Sequence, residues 1–417
     1  MWPRPRRQHK IATDAVHSIN RILRELDSTD FLLKEPCLAT QRMDTPVVDS
    51  LNISQFHLWE KLTQKRAPLG FTLELTARCN NNCRHCYINL PAGDSRAAAE
   101  ELTLEEILHI AGQAVEMGAL WCLITGGEPL LRPDFSDVYL GLKRLGMKIG
   151  VFTNATLIRE EHVELFLEYP ARDLEVTVYG VTEATYEAIT RRSGSFAAFW
   201  TRLEKLLANG IPVRLKAMAL RSNVHELPLI AEFCRSRTMD YYRFDPLLNL
   251  RFDRDPVRNA EIRGERLSPE EIAALEQFDP ERFHELRNHC DELIQSDLCH
   301  SGCDHLFHCG SGMGEFVVGC NGLFRLCSSL WAPGTTYNLR TGTLRQAWHE
   351  FVPQVRELRS RNAAYLETCQ TCPIIDLCLS CPAHNDLETG KMDGETPYFC
   401  AVAHARAKML KTATGGK

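Results

Sequence analysis

Three thiols stand close together in the run Cys79-Asn80-Asn81-Asn82-Cys83-Arg84-His85-Cys86. The spacing C-x3-C-x2-C can wrap one corner of an iron–sulfur cubane. A [4Fe–4S] cluster takes four thiolates, so three local ligands leave one iron open to a small molecule. The rival chemistry is a structural zinc knuckle. Closed zinc sites need four ligands, as C-x2-C pairs or Cys with His. Here only His85, set between two of the cysteines, offers itself as a fourth.

Two further motifs carry groups suited to a ligand. Gly126-Gly127-Glu128-Pro129 joins two bare residues, which let backbone approach closely, to a carboxylate that can accept from an ammonium group. In Thr153-Asn154-Ala155-Thr156, the Asn154 amide has both donor and acceptor, as ribose hydroxyls require; its plain role is a turn cap. Near the C-terminus, Cys369-x2-Cys372-x5-Cys378-x2-Cys381 is followed by Cys400 and preceded by Cys303, Cys309 and Cys327. Two C-x2-C pairs could form a zinc ribbon, but ribbon pairs usually stand roughly 15–20 residues apart. Five residues separate these, and a ribbon would leave the other cysteines unused.

The elements that must position these residues alternate. Strands are expected at Phe71–Thr76, Leu120–Thr125, Lys148–Thr153, Leu174–Tyr179, Val213–Leu220 and Tyr241–Leu247, with helical segments between them. That alternation predicts parallel βαβ units in an α/β fold. The cysteine loop and both motifs then fall at carboxyl ends of strands, where active groups gather in such folds. Residues 1–68 read as a helical extension, 69–248 as the strand–helix domain, 249–289 as a connector with one helix, 290–405 as a cysteine-rich domain and 406–417 as a tail.

Composition narrows the function class. The chain has 417 residues and a net charge of −6, which gives no sign of nucleic-acid binding. No apolar run is long enough for a membrane span. The basic N-terminal residues Arg4 to Lys10 precede no apolar stretch, so no secretory signal is expected. Seventeen cysteines in a chain without such a signal point to a reducing, cytoplasmic setting and to metal ligands rather than disulfides.

The cysteine triplet, with an aromatic ring (His85) before its last member, resembles the signature of the radical S-adenosylmethionine (radical SAM) superfamily. The resemblance implies a partial (β/α)6 barrel whose cluster, held by Cys79, Cys83 and Cys86, binds S-adenosylmethionine (SAM) at its open iron. It implies that Tyr87, Gly126, Gly127 and Glu128 sit at the cofactor, the glycine motif taking the methionine amino group, and Asn154 the ribose. Ala155 stands where the family often has Gly. Thr177 and Lys216 are candidates for the SAM carboxylate and ribose, beside ordinary structural roles.

The C-terminal layout resembles the SPASM extension of peptide-modifying members, with two auxiliary [4Fe–4S] clusters. By that resemblance Cys303, Cys309, Cys327 and Cys381 hold the first, with Cys299 able to replace Cys303; Cys369, Cys372, Cys378 and Cys400 hold the second. The final pair is separated by two residues where three is usual. The activity implied is reductive SAM cleavage and hydrogen abstraction from a peptide, with a flavodoxin- or ferredoxin-type protein as electron donor. Formylglycine formation in a sulfatase, with Asp245 as base, and maturation of a peptide-derived cofactor are alternatives. A zinc or iron scaffold without enzymatic activity is the reading of another class.

Overall fold

The structure is a computed structural model and describes residues 65–238, 242–294 and 303–414. The expected N-terminal extension therefore lies outside the described residues up to position 64, as do Cys37 and Cys299.

Six parallel strands run side by side in chain order: β1 (Gly70–Thr76), β2 (Trp121–Gly126), β3 (Lys148–Thr153), β4 (Asp173–Val178), β5 (Arg214–Met218) and β6 (Arg243–Asp245). Between them lie α1 (Leu104–Glu116), α2 (Phe135–Arg144), α3 (Glu160–Glu168), α4 (Glu183–Thr190), α5 (Ser195–Ala208) and α6 (Leu227–Arg237). The alternation expected from the sequence is present. The sixth strand is shorter than expected because Pro246 lacks the N–H a ladder needs.

Each crossover has a local cause. In α1, Thr103 caps the helix and exchanges bonds with Glu106, while Ile107, Ile110, Ala111 and Ala114 form one buried face. In β1 six of the seven residues are buried, as in a strand covered on both faces.

The cysteine-rich region extends the same sheet. Strand β7 (Glu315–Val318) pairs in parallel with β1 on the side away from β2, and β8 (Leu323–Arg325) and β9 (Tyr337–Asn338) follow antiparallel. Phe71 stacks on Phe316 at 5.3 Å, and Phe316 on Phe324 at 5.2 Å. Arg325 of β8 forms a fully buried ion pair with Glu74 of β1.

The expected one-helix connector holds three helices: α7 (Pro256–Glu265), α8 (Pro269–Phe278) and α9 (Pro280–Asn288). Each begins with proline after a capping side chain: Asp255, Ser268 and Asp279. Helices α10 (Pro382–Thr389) and α11 (Pro397–Thr414) close the chain.

Candidate active site

The cysteine loop leaves β1 and is pinned from three sides. Backbone bonds run from Asn82 to the Thr190 carbonyl at 2.8 Å and from Arg84 to the Ile189 carbonyl at 3.2 Å, so the end of α4 supports it. From the former connector, Arg258 donates to the Cys83 carbonyl at 2.8 Å. Arg251, 3% exposed, donates to the Asn89 carbonyl at 3.1 Å and to its side chain at 3.0 Å. Asp253 and Glu261 neutralise these two guanidiniums. The third support is the Asn154 amide, which donates to Asn80 Oδ1 at 2.9 Å.

A cavity of about 590 Å³ opens over the carboxyl ends of the strands. Cys79, Cys83, Cys86 and Tyr87 line it from the loop, Gly126 and Gly127 from the end of β2, Asn154 from beyond β3, Thr177 from β4 and Lys216 from β5. Lys216 Nζ lies 2.5 Å from Glu175 and 4.0 Å above the Phe152 ring. Asp245, at the end of β6, also faces the cavity.

Glu128 turns the other way. Its fully buried carboxylate accepts from Thr153 Oγ1 at 2.8 Å, from Leu130 N at 3.1 Å and from Asn154 N at 2.7 Å. It ties the β2 turn to the end of β3, and burial pushes its pKa up to about 7. The two glycines serve the loop as well as the cavity. A Cβ at Gly126 would meet the Thr76 carbonyl, and one at Gly127 the Arg78 carbonyl, each at 2.2 Å. The turn is bare because the cysteine loop's own backbone passes against it.

The loop's chemistry suits a cluster. Burial, then the Glu128 carboxylate, pushes the Cys79 thiol up to about 12; burial and the two neighbouring thiols raise Cys83 strongly. A bound metal centre offsets that penalty, because its positive charge stabilises thiolates. Both amide atoms of Asn81 and His85 Nδ1 are buried without a partner, so the wall retains unsatisfied polar groups that a ligand could engage. Among the described residues, no three His, Cys, Asp or Glu side chains converge as a single metal ion requires.

The C-terminal cysteines fall into two neighbourhoods. Burial and then the Cys381 and Cys309 thiols push Cys327 up to about 11. Burial and then Cys400, Cys372 and Cys369 do the same to Cys378. Cys303 lies 3.3 Å from His305 Nδ1, and the backbone and side chain of that histidine lower its pKa. Burial raises Cys381, but His384 outweighs it and lowers the thiol. Cys122, Cys234 and Cys290 are buried core residues.

A model of the radical SAM superfamily matches residues 73–234. The chain carries a radical SAM domain. The match begins in β1 and ends in α6, so it covers the cysteine loop and the Gly126 and Asn154 turns. AlbA, the antilisterial bacteriocin subtilosin biosynthesis protein of Bacillus subtilis, is 31% identical over 169 residues, 40% of this chain but only 37% of its own length. The AdoMet-dependent heme synthase of Methanosarcina barkeri is 26% identical over 347 residues, 81% of this chain and 97% of its own. Streptococcus suis SuiB, solved bound to its precursor peptide SuiA, superposes with a TM-score of 0.60 at 16% identity, over 92% of this chain and 88% of that one. At that identity the likeness concerns the fold. It spans the radical SAM domain and the cysteine-rich region together.

Two groups of supporting residues escaped the sequence reading. Arg251 and Arg258 belong to a charged run, Arg251-Phe252-Asp253-Arg254-Asp255-Pro256-Val257-Arg258, that reads as solvated surface. Their signal is the alternation of Arg with Asp, which neutralises arginines that are turned inward. Asn80 and Asn81 lay inside the motif as spacers between thiols.

Proposed function

We propose that this protein is a radical SAM enzyme that abstracts hydrogen from a peptide substrate and installs a crosslink or an oxidation. The observation that carries this reading is the convergence of Cys79, Cys83 and Cys86 with the carboxyl ends of β2 to β6 on one cavity. When bound, the cluster supplies an electron that cleaves SAM to methionine and a 5′-deoxyadenosyl radical. The chain's part is to hold the loop through Arg251, Arg258 and Asn154, and to leave the Asn81 amide for the ligand. Thr177 and Lys216 line the space for the SAM carboxylate and ribose. Met218, Leu247 and Leu248 make part of the wall apolar, which keeps water from a reactive radical.

Two auxiliary clusters complete the proposal. Cys309, Cys327 and Cys381, with Cys303 or Cys299, hold one; Cys369, Cys372, Cys378 and Cys400 hold the other. The two thiol neighbourhoods support this division. A flavodoxin- or ferredoxin-type donor in a reducing cytoplasm would supply the electron. No described helix is long and apolar enough to cross a membrane.

The peptide reading draws on AlbA and on the fold shared with SuiB. The second reading is modification of a tetrapyrrole, favoured by the heme synthase match over almost that protein's whole length. The experiment is anaerobic reconstitution with SAM and dithionite, followed by mass spectrometry of a peptide encoded beside the gene. Release of 5′-deoxyadenosine by the wild type, its loss when all three loop cysteines become Ala, and a mass decrease of about two in the peptide are expected. SAM cleavage with no change in any peptide, but turnover of a tetrapyrrole, would transfer the assignment to the second reading.

A further inference from the structure

One side of the cavity carries more cations than its structure needs. Glu276, on α8, is fully buried. Arg406, on α11, grips both its oxygens, with Nε at 2.8 Å from Oε2 and Nη2 at 2.6 Å from Oε1. That two-pronged contact satisfies the carboxylate and neutralises it. Arg282, on α9, then adds a second guanidinium to the same Oε1, at 2.7 Å and 3.1 Å. Both arginines line the cavity.

Arg282 is placed for more than packing. Its Nη1 donates to the Phe244 carbonyl at 3.1 Å, and the guanidinium lies 4.9 Å above the Phe244 ring. Arg406 Nη1 likewise donates to the Leu377 carbonyl. A guanidinium has five N–H groups, so each arginine retains two beyond these contacts. Asp245 contributes one negative charge to the cavity wall. Lys216, the other cation lining this cavity, is paired with its own carboxylate, Glu175. Arg282 and Arg406 thus share a single buried carboxylate, Glu276, two cations on one anion at the cavity wall. A partly buried cation without a full partner is costly unless an anion reaches it.

We infer that Arg282 and Arg406 form a subsite that anchors a carboxylate of the substrate. The inference rests on the proposed radical SAM reading and deepens it: the substrate is acidic. The carboxylate is an acidic side chain if the substrate is a peptide, and a propionate if it is a tetrapyrrole. Arginine suits this task because its planar fork matches a carboxylate in two bonds.

The test uses the reconstituted full chain saturated with SAM, so that SAM's own carboxylate is already placed. Two pairs of probes are titrated by calorimetry. The blocked peptide acetyl-Ala-Ala-Glu-Ala-Ala-amide is compared with its Gln counterpart, and haemin with its dimethyl ester. The acid-bearing member of one pair should bind on the order of 10- to 100-fold more tightly than its neutral partner. The pair that shows the preference identifies the source of the carboxylate. Arg282→Gln should abolish the preference, and Arg282→Lys should keep part of it. Equal binding within both pairs by the wild type overturns the subsite, whether or not the variants fold. A preference that survives in folded Arg282→Gln overturns it too. Absence of 5′-deoxyadenosine release by the wild type would instead defeat the radical SAM reading, so the two failures are distinguishable.

Discussion

Arg258 on α7 and Cys83 in the cysteine loop are joined by a 2.8 Å hydrogen bond from guanidinium to carbonyl, so a helix beyond the sixth strand fixes the middle thiol of the triplet. A charge-assisted bond of this kind contributes about 1.5–3 kcal/mol. Arg258→Ala should lower the stability of the cluster-free chain by about that amount and speed loss of iron from the loop. Arg258→Lys should recover part of both, since it keeps the charge but not the fork. Chemical denaturation and iron retention after gel filtration measure the two effects. Identical values in Arg258→Ala and wild type would show the contact to be incidental.

Ala155 sits at φ 62°, in the left-handed region that favours glycine. Its backbone N–H is held there by Thr153 Oγ1 at 3.0 Å, beside the Asn154 amide that braces the loop. Ala155→Gly relieves the strain and loses a buried methyl group. The net gain should be positive but below about 1 kcal/mol. A fall in the urea midpoint would mean that the methyl's packing outweighs the strain.

Glu128 gives the fold a pH dependence. Burial holds its folded pKa at about 7, above an ordinary carboxylate value of 4.5. The folded state therefore binds the proton more tightly than the unfolded chain does. The stabilisation is complete below the unfolded value and is lost as pH rises from there through about 7. Its span is on the order of 3 kcal/mol. Glu128→Gln should flatten this part of the stability profile of the cluster-free chain. Parallel profiles for the two proteins between pH 5 and pH 8 would exclude Glu128 as the source.

Motifs that close on themselves were legible in the sequence, and surfaces that meet across the chain were not. The Cys79 loop, the Gly126 turn and the Asn154 turn each follow a strand, and alternation placed those strands. Which way Glu128 turns depends on β3, about 25 residues away, and nothing local encodes it. Strand β7 was hidden by its four residues, although Asn321-Gly322 before β8 is a strong hairpin signal. The three helices after β6 had their signals in Asp255-Pro256, Ser268-Pro269 and Asp279-Pro280, each a cap followed by proline. Charge dominated that stretch, and its inward-facing arginines resembled solvated ones.

Arg325 and Glu74 join the cysteine-rich region to the barrel inside the core, at 0% and 2% side-chain exposure. The Arg325 guanidinium also lies 3.5 Å above the Trp331 ring. Arg325→Met would leave the Glu74 carboxylate buried without its cation. Breaking such a pair from one side costs about 3–5 kcal/mol, more than the pair itself contributes. Replacing both, as Arg325→Met with Glu74→Leu, should recover much of the loss. If the double variant is no more stable than the single one, the pair is not the source of the penalty.

The final prediction separates neighbours in sequence from neighbours in space. Cys381 follows Cys378 by only three positions, yet Cys381 is the first thiol felt by Cys327, whereas Cys378 senses Cys400, Cys372 and Cys369. If each neighbourhood holds one cubane, Cys381→Ser should behave like Cys327→Ser and unlike Cys378→Ser. The wild type with three clusters should carry about 12 iron per chain. Cys381→Ser with Cys327→Ser should remove about four, no more than either pair of changes within one site can. Cys378→Ser with Cys400→Ser should remove a different four, with its own electron paramagnetic resonance signal. Combining Cys381→Ser with Cys378→Ser should therefore damage both sites, although the two residues belong to one short motif. If that combination removes the same four iron atoms as Cys378→Ser with Cys400→Ser, chain proximity rather than the fold governs ligation, and the division into two neighbourhoods fails.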